Sequence, residues 1–216
     1  MIVNDIVTGI IAVVIGYLLG SVPAAYIVTR IVTGKDIRQL GGGNVGTRNT
    51  YVQAGLAAAI VVAVFDIGKG TAAVVIAHYL LDVPYLFVLT VGVAAVAGHM
   101  WPIYLKFTGG NGLATTIGTL SLLMPRELLI ALALTLLFII ITRNAVLSVN
   151  ISLLSVLVSL WLLEEAELRV ALFIFSIVLL LMMVFHFLPT AKAALAKAGS
   201  RENLFAELRH KEKAKS

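Results

Sequence analysis

Residues 6–28 read IVTGIIAVVIGYLLGSVPAAYIV, a run without a single charged side chain. A helix needs about 20 mainly apolar residues to cross a bilayer, and this run has that length. Asn4 and Asp5 precede it, with no basic leader and no A-x-A site after it. It therefore reads as a retained helix rather than a cleaved signal. Further apolar runs lie at 54–81, 86–105, 112–124, 128–141, 146–163 and 170–187. Pro125, Arg126 and Glu127 separate the fourth run from the fifth, because proline ends the preceding turn and two charges resist burial.

The composition agrees. Of 216 residues 60% are hydrophobic and 12% charged, with a mean hydropathy of +1.04. Soluble domains carry about one-quarter charged residues. The expected fold is an all-α integral membrane protein of about seven transmembrane helices. There is no cysteine, hence no disulfide framework and no thiolate metal site.

Basic residues mark the cytoplasmic side of a membrane protein. With the N-terminus outside, that side receives Arg30, Lys35, Arg38, Arg48, Lys106, Arg143 and the basic tail. The outer side receives only Arg126 and Arg169. The expected orientation is N-terminus outside, C-terminus cytoplasmic. Residues 1–190 form the transmembrane domain and 191–216 a basic tail, either a solvated anchor or an interfacial helix on anionic headgroups. The net charge of +5 is concentrated in that tail, which points to orientation in a membrane rather than to nucleic acid.

Three polar stretches interrupt the apolar pattern, all toward the cytoplasmic half. The first is GGGNVGTRN, Gly41 to Asn49. Successive N–H groups of Gly41, Gly42, Gly43 and Gly46 suit an anion-binding nest. Asn44, Thr47 and Asn49 add neutral donors, Arg48 adds a charge, and a helix starting near Thr50 offers its N-terminus. A tightly packed turn is the alternative. The second is FDIGKG, Phe65 to Gly70. Asp66 and Lys69 are three apart on one helix and can pair, either locking helices together or orienting active-site loops. The third is GHMWPIYLKFTGGNGLAT, Gly98 to Thr115. His99 precedes a bend at Pro102, and Gly109, Gly110, Asn111 and Gly112 make a second glycine turn that opens a helix with Thr115. His99 reads either as a buried hydrogen-bonding group or as a base.

These stretches resemble the bacterial membrane acyl-phosphate–glycerol-3-phosphate acyltransferases. YLLGSVPAAYIVTR is similar to the family's opening helix, GGGNVGTRN to its G-S-G-N-x-G-A-T-N loop, and FDIGKG to its F-D-x-x-K-G segment. GHMWPIYLKFTGGNGLAT is similar to its G-H-x-x-P-x-x-x-x-F-K-G-G-K-G-V-A-T segment. Order and spacing agree from about residue 15 to about residue 187.

The resemblance implies transfer of a fatty acyl group from acyl phosphate to glycerol 3-phosphate, giving lysophosphatidic acid and phosphate, with no cofactor and no metal. It implies a bacterial plasma membrane location with a cytoplasmic active face, and it allows an acyl-phosphate-producing enzyme as a partner beside the membrane lipids. On it, His99, Asn44 and Asn49 are the expected catalytic groups. Gly41, Gly42, Gly43, Gly46, Thr47, Arg48, Lys106, Gly109, Gly110, Asn111, Gly112 and Thr115 are the expected phosphate and substrate ligands. Asp66 and Lys69 form the expected ion pair near the site.

The chain departs from the family pattern at several ligands. Gly42 stands for its serine, Arg48 for its threonine and Val52 for a frequent arginine. Thr108 and Asn111 stand for the lysines of the second turn. His186 aligns with the histidine of a late H-x-x-N-I-x-R segment, but Pro189 takes its asparagine; a similar string, RENLFAEL, lies displaced at 201–208. Charge-assisted bonds are roughly twice as strong as neutral ones, so these changes weaken a phosphate site unless Arg48 and Lys106 compensate. A different acceptor, or a non-catalytic membrane scaffold, is the alternative function.

Overall fold

The computed structural model describes residues 2–143, 145–163 and 166–213. Its regular elements are helical: α1 (Ile2–Ser21), α2 (Ala24–Thr33), α3 (Thr47–Ala54), α4 (Leu56–Val75), α5 (Tyr85–Met100), α6 (Leu113–Leu123), α7 (Pro125–Thr142), α8 (Ala145–Leu163) and α9 (Ala166–Lys213). Five segments are long and apolar enough to cross a membrane: Val3–Thr33, Leu56–Leu80, Tyr85–Leu105, Pro125–Thr142 and Glu167–Leu188. Leu113–Leu123 and Ile151–Leu163 are shorter apolar helices. Each apolar run of the sequence is thus helical, and five of them reach crossing length among the described residues.

Large apolar side chains face outward as lipid-facing surface requires, for example Ile31, Leu86 and Ile140. Lipid tails are as apolar as leucine, so burial alone does not hold such helices together; close backbone packing does. Small residues supply it. Gly9, Gly16 and Gly20 of α1 face Phe87, Val91 and Ala95 of α5, and Gly98 of α5 lies on the backbone of Tyr17 and Ser21. Likewise Gly70 of α4 sits on the Thr115 carbonyl, and Gly118 of α6 sits on the Ile67 carbonyl. Thr71 Oγ1 reinforces that contact by donating to Gly118 O at 3.0 Å. A larger apolar cluster joins α5 to α9 through Val96, Met100, Leu120, Leu160 and Phe175.

Two expectations are corrected. The first apolar run is not one helix: α1 ends at Ser21 and α2 begins at Ala24, because Pro23 has no N–H to continue the ladder. Glu127 does not resist burial. It is 1% exposed, with Oε1 unpartnered among the described residues. Its place in the first turn of α7, which opens on Pro125 at its first position, sets the carboxylate beside the positive end of the helix dipole. The last helix, α9, runs from Ala166 through Pro189 to Lys213. The side chains of Pro189 and of the string at 201–208 lie outside the described residues.

Candidate active site

The first glycine stretch folds into a loop tied down by one side chain. Gly43 N donates to Leu40 O at 3.0 Å, closing a turn. Gly41 and Gly43 have φ of 55° and 73°, the left-handed region that glycine adopts without penalty. The Asn49 amide nitrogen reaches back to three carbonyls, Leu40 O and Asn44 O at 3.0 Å and Ile37 O at 3.3 Å. Its donors are therefore spent on the loop, while its Oδ1 lies close to Gly41. The helix after the loop starts at Thr47, three residues before the expected start, with Gly46 as its cap. Thr50 completes the entry by bonding Gly46 O through both N and Oγ1. Before the loop, Arg38 pairs with Asp36 at 2.7 Å and lies 5.3 Å over the Tyr26 ring. That hydrogen bond holds the Asp36 carboxyl below its ordinary value and raises Arg38.

The second stretch meets the first. Pro102 ends α5, and Lys106 and Phe107 turn the chain with φ of 53° and 62°. Phe107 N donates to Pro102 O at 2.9 Å and Gly110 N to His99 O at 3.1 Å. A cleft of about 590 Å³ opens between the two turns. Gly41, Gly42, Gly43, Asn44, Arg48 and Asn49 line one side; Thr108, Gly109 and Asn111 line the other. Val52, Gln53, Phe107, His186 and Phe187 complete the lining. The Arg48 guanidinium has no hydrogen-bond or ion-pair partner among the described residues, so it is available to an anion. Beside it, a Cβ on Gly42 would meet nothing within 4 Å. His186 is half-buried and meets the Trp101 ring edge-on at 5.5 Å.

Behind the cleft is a buried charged cluster. Asp66 and Lys69 pair at 2.7 Å, and His99 Nδ1 lies 3.4 Å from the same Asp66 oxygen. Asp66 is 1% and His99 7% exposed. Lys69 Nζ also donates to Val22 O at 3.0 Å, a carbonyl in the break between α1 and α2 that accepts from Ala24 N as well. With Nδ1 facing the carboxylate, the other edge of His99 abuts Gly110, where any Cβ would strike Nε2 and the Val45 carbonyl. A carboxylate behind one nitrogen fixes the ring and its tautomer, leaving the other nitrogen for exchange. Asp66 Oδ2 has no partner among the described residues, and Asp66 lines a small pocket of about 10 Å³ with Ser21, Val45 and His99. That volume holds about one water.

A third space opens sideways to lipid. It is an apolar groove of about 450 Å³ between the α1–α2 break and α4, lined by Leu19, Val22, Ala24, Val64, Phe65, Gly68, Lys69 and Ala72. Lys69, Val22 and Ala24 line both this groove and the small pocket. Groove and charged cluster are thus contiguous.

The structure does not bring every expected ligand to the cleft. Lys106 is exposed and absent from its lining. Thr115 is fully buried under Gly70, with its hydroxyl unpartnered among the described residues. Gly46, Thr47, Gly110 and Gly112 shape the two turns without lining the cleft. Gln53 was missed, although it follows Asn49 by four residues on α3 and so shares its face. No metal-binding group of His, Cys, Asp and Glu occurs among the described residues.

Known proteins resemble this chain in sequence and fold. A family model described as glycerol-3-phosphate acyltransferase matches residues 10–197. Glycerol-3-phosphate acyltransferase 1 of Dehalococcoides mccartyi is 40% identical over 198 residues, 89% of this chain and 94% of that protein. A glycerol-3-phosphate acyltransferase of a Thermoanaerobacter species is 35% identical, over 89% of this chain and 94% of its own. Among solved structures, the integral membrane glycerol 3-phosphate acyltransferase PlsY in its glycerol 3-phosphate form superposes with a TM-score of 0.77. It is 25% identical, over 88% of this chain and 92% of that chain. Its lysophosphatidic acid form gives a TM-score of 0.74.

Proposed function

This chain belongs to the glycerol-3-phosphate acyltransferase family, and from that premise we propose that it acylates glycerol 3-phosphate from acyl phosphate. The observation that carries the reading is the cleft in which both glycine turns and the unpaired Arg48 face one space. Backbone N–H groups and one guanidinium suit a phosphate dianion. The relative solved with glycerol 3-phosphate shares the fold.

In the proposed reaction the acceptor's 1-hydroxyl attacks the acyl carbonyl. A new ester C–O bond forms, the bond from the acyl carbon to the phosphate oxygen breaks, and the hydroxyl proton leaves with the phosphate. The donor is a mixed anhydride and already activated, so positioning and charge neutralisation carry much of the catalysis. Arg48 and the glycine loops hold phosphate. Asn44 and Asn111 add neutral donors from opposite walls of the cleft. His99, oriented by Asp66, sets the second glycine turn against the first, and Asn49 holds the first loop in shape. The acyl chain takes the apolar groove, which Lys69 lines together with Val22 and Ala24.

The protein is a multi-pass membrane protein. Its proposed setting is the bacterial plasma membrane, N-terminus outside, with the basic tail and both glycine turns in the cytoplasm. The distribution of lysine and arginine supports that orientation. An enzyme that makes acyl phosphate is the partner this donor requires. Expression in a bacterial strain lacking its own glycerol-3-phosphate acyltransferase tests the reading. Growth without supplied lysophosphatidate is expected. Failure to rescue by protein shown to reach the membrane, where a PlsY control rescues, contradicts it.

A further inference from the structure

Gly68 has no structural reason to be glycine. It lies inside α4, where glycine is a poor helix former. Its φ is not positive, so no special backbone conformation demands it. Its neighbour Gly70 packs on the Thr115 carbonyl, yet a Cβ on Gly68 would meet no atom within 4 Å. The space beside it is the apolar groove, where Gly68 stands next to Lys69. The groove's α4 wall runs from Val64 to Ala72, about 12 Å at the helical rise.

We infer that Gly68 determines donor specificity: by leaving the middle of the α4 wall bare, it admits the part of a long acyl chain that a short donor lacks. This rests on the proposed reaction and adds a residue that sets which donors can use it. A bilayer solvates an acyl chain as well as an apolar groove does. The groove therefore gains little from hydrophobicity and acts by orientation. A side chain at position 68 leaves the protein's own packing untouched and displaces the acyl chain from the wall that leads to the charged cluster. Donors with only a few carbons do not extend far enough along the wall to notice.

The test uses the full chain in lipid nanodiscs, with Gly68→Ala and Gly68→Leu beside the wild type. Palmitoyl phosphate and butyryl phosphate are the donors, and binding of a non-hydrolysable palmitoyl phosphonate is measured separately. For Gly68→Leu the expected loss in kcat/KM is about tenfold or more with palmitoyl phosphate and under about threefold with butyryl phosphate, a positional effect. Gly68→Ala falls between. The KM for glycerol 3-phosphate stays unchanged, and the melting temperature of both variants equals or exceeds that of wild type. Equal losses with both donors, or none with either, overturn the inference. Should wild type bind the phosphonate but form no product, the proposed reaction fails, and the phosphonate still judges Gly68. Weaker binding to Gly68→Leu than to wild type supports the inference; equal binding overturns it.

Discussion

Replacing Arg48 removes the one permanently positive side chain that lines the cleft among the described residues. Its guanidinium bonds nothing else there, so the change touches ligand binding and spares the fold. A hydrogen bond to a charged group contributes about 1.5–3 kcal/mol, which corresponds to about 10- to 150-fold in affinity. Arg48→Ala forfeits that whole range. Arg48→Gln retains a neutral donor at similar reach, roughly half as strong, and loses about 3- to 12-fold. The assay is initial-rate kinetics at varied glycerol 3-phosphate under saturating palmitoyl phosphate, with thermal melting as the check on folding. The ranking wild type, Gln, Ala should appear in the KM for glycerol 3-phosphate or in kcat/KM. Variants that melt like wild type and keep its KM would refute the assignment of Arg48 as a phosphate anchor.

Three further outcomes follow from the same geometry. Gly42→Ser places a hydroxyl where nothing obstructs a Cβ, on backbone that is not left-handed; it should lower the KM for glycerol 3-phosphate by about 2- to 10-fold, the worth of one neutral hydrogen bond, and an unchanged or raised KM counts against the cleft as the phosphate site. Gly110→Ala drives a methyl into His99 and the Val45 carbonyl. It should cost about 1–3 kcal/mol of stability in chemical denaturation, with activity falling further than in Gly42→Ala, which melts like wild type. Asp66→Ala leaves Lys69 charged and unpaired in a buried site, a loss of about 3–5 kcal/mol. The double variant Asp66→Asn with Lys69→Met should recover stability but not turnover. Recovery of both would reduce the pair to a structural lock.

Much of the architecture was legible because lipid imposes a simple rule: long uncharged runs must be helices. The i, i+3 spacing also predicted the Asp66–Lys69 pair, and the two glycine turns do share one cleft. Other features depend on tertiary placement. Nothing local to His99 says that Asp66, on another helix, will stand behind its ring. Pro23 lies within an apolar run long enough to read as one helix, which hides the break where Val22 O meets Lys69. Lys106 was expected at the phosphate on charge alone, but the left-handed turn at Lys106 and Phe107 leaves the lysine outside the cleft lining. The charge of Glu127 reads as resisting burial, whereas its position in the first turn of α7 offsets part of the burial cost.

The losses at Gly42, Val52, Thr108 and Asn111 acquire a geometric meaning. All four line the cleft with Arg48, so the family's lost charges and hydroxyl are concentrated around one space. The central claim is that this space, with Arg48 as its single fixed charge, still supports acyl transfer. The most direct measurement incubates the purified chain in lipid with palmitoyl phosphate and glycerol 3-phosphate and quantifies both products. Lysophosphatidate and inorganic phosphate appearing in equal amounts, and only when glycerol 3-phosphate is present, is the predicted result. Phosphate release without lysophosphatidate, or neither product where a PlsY control is active, would contradict it.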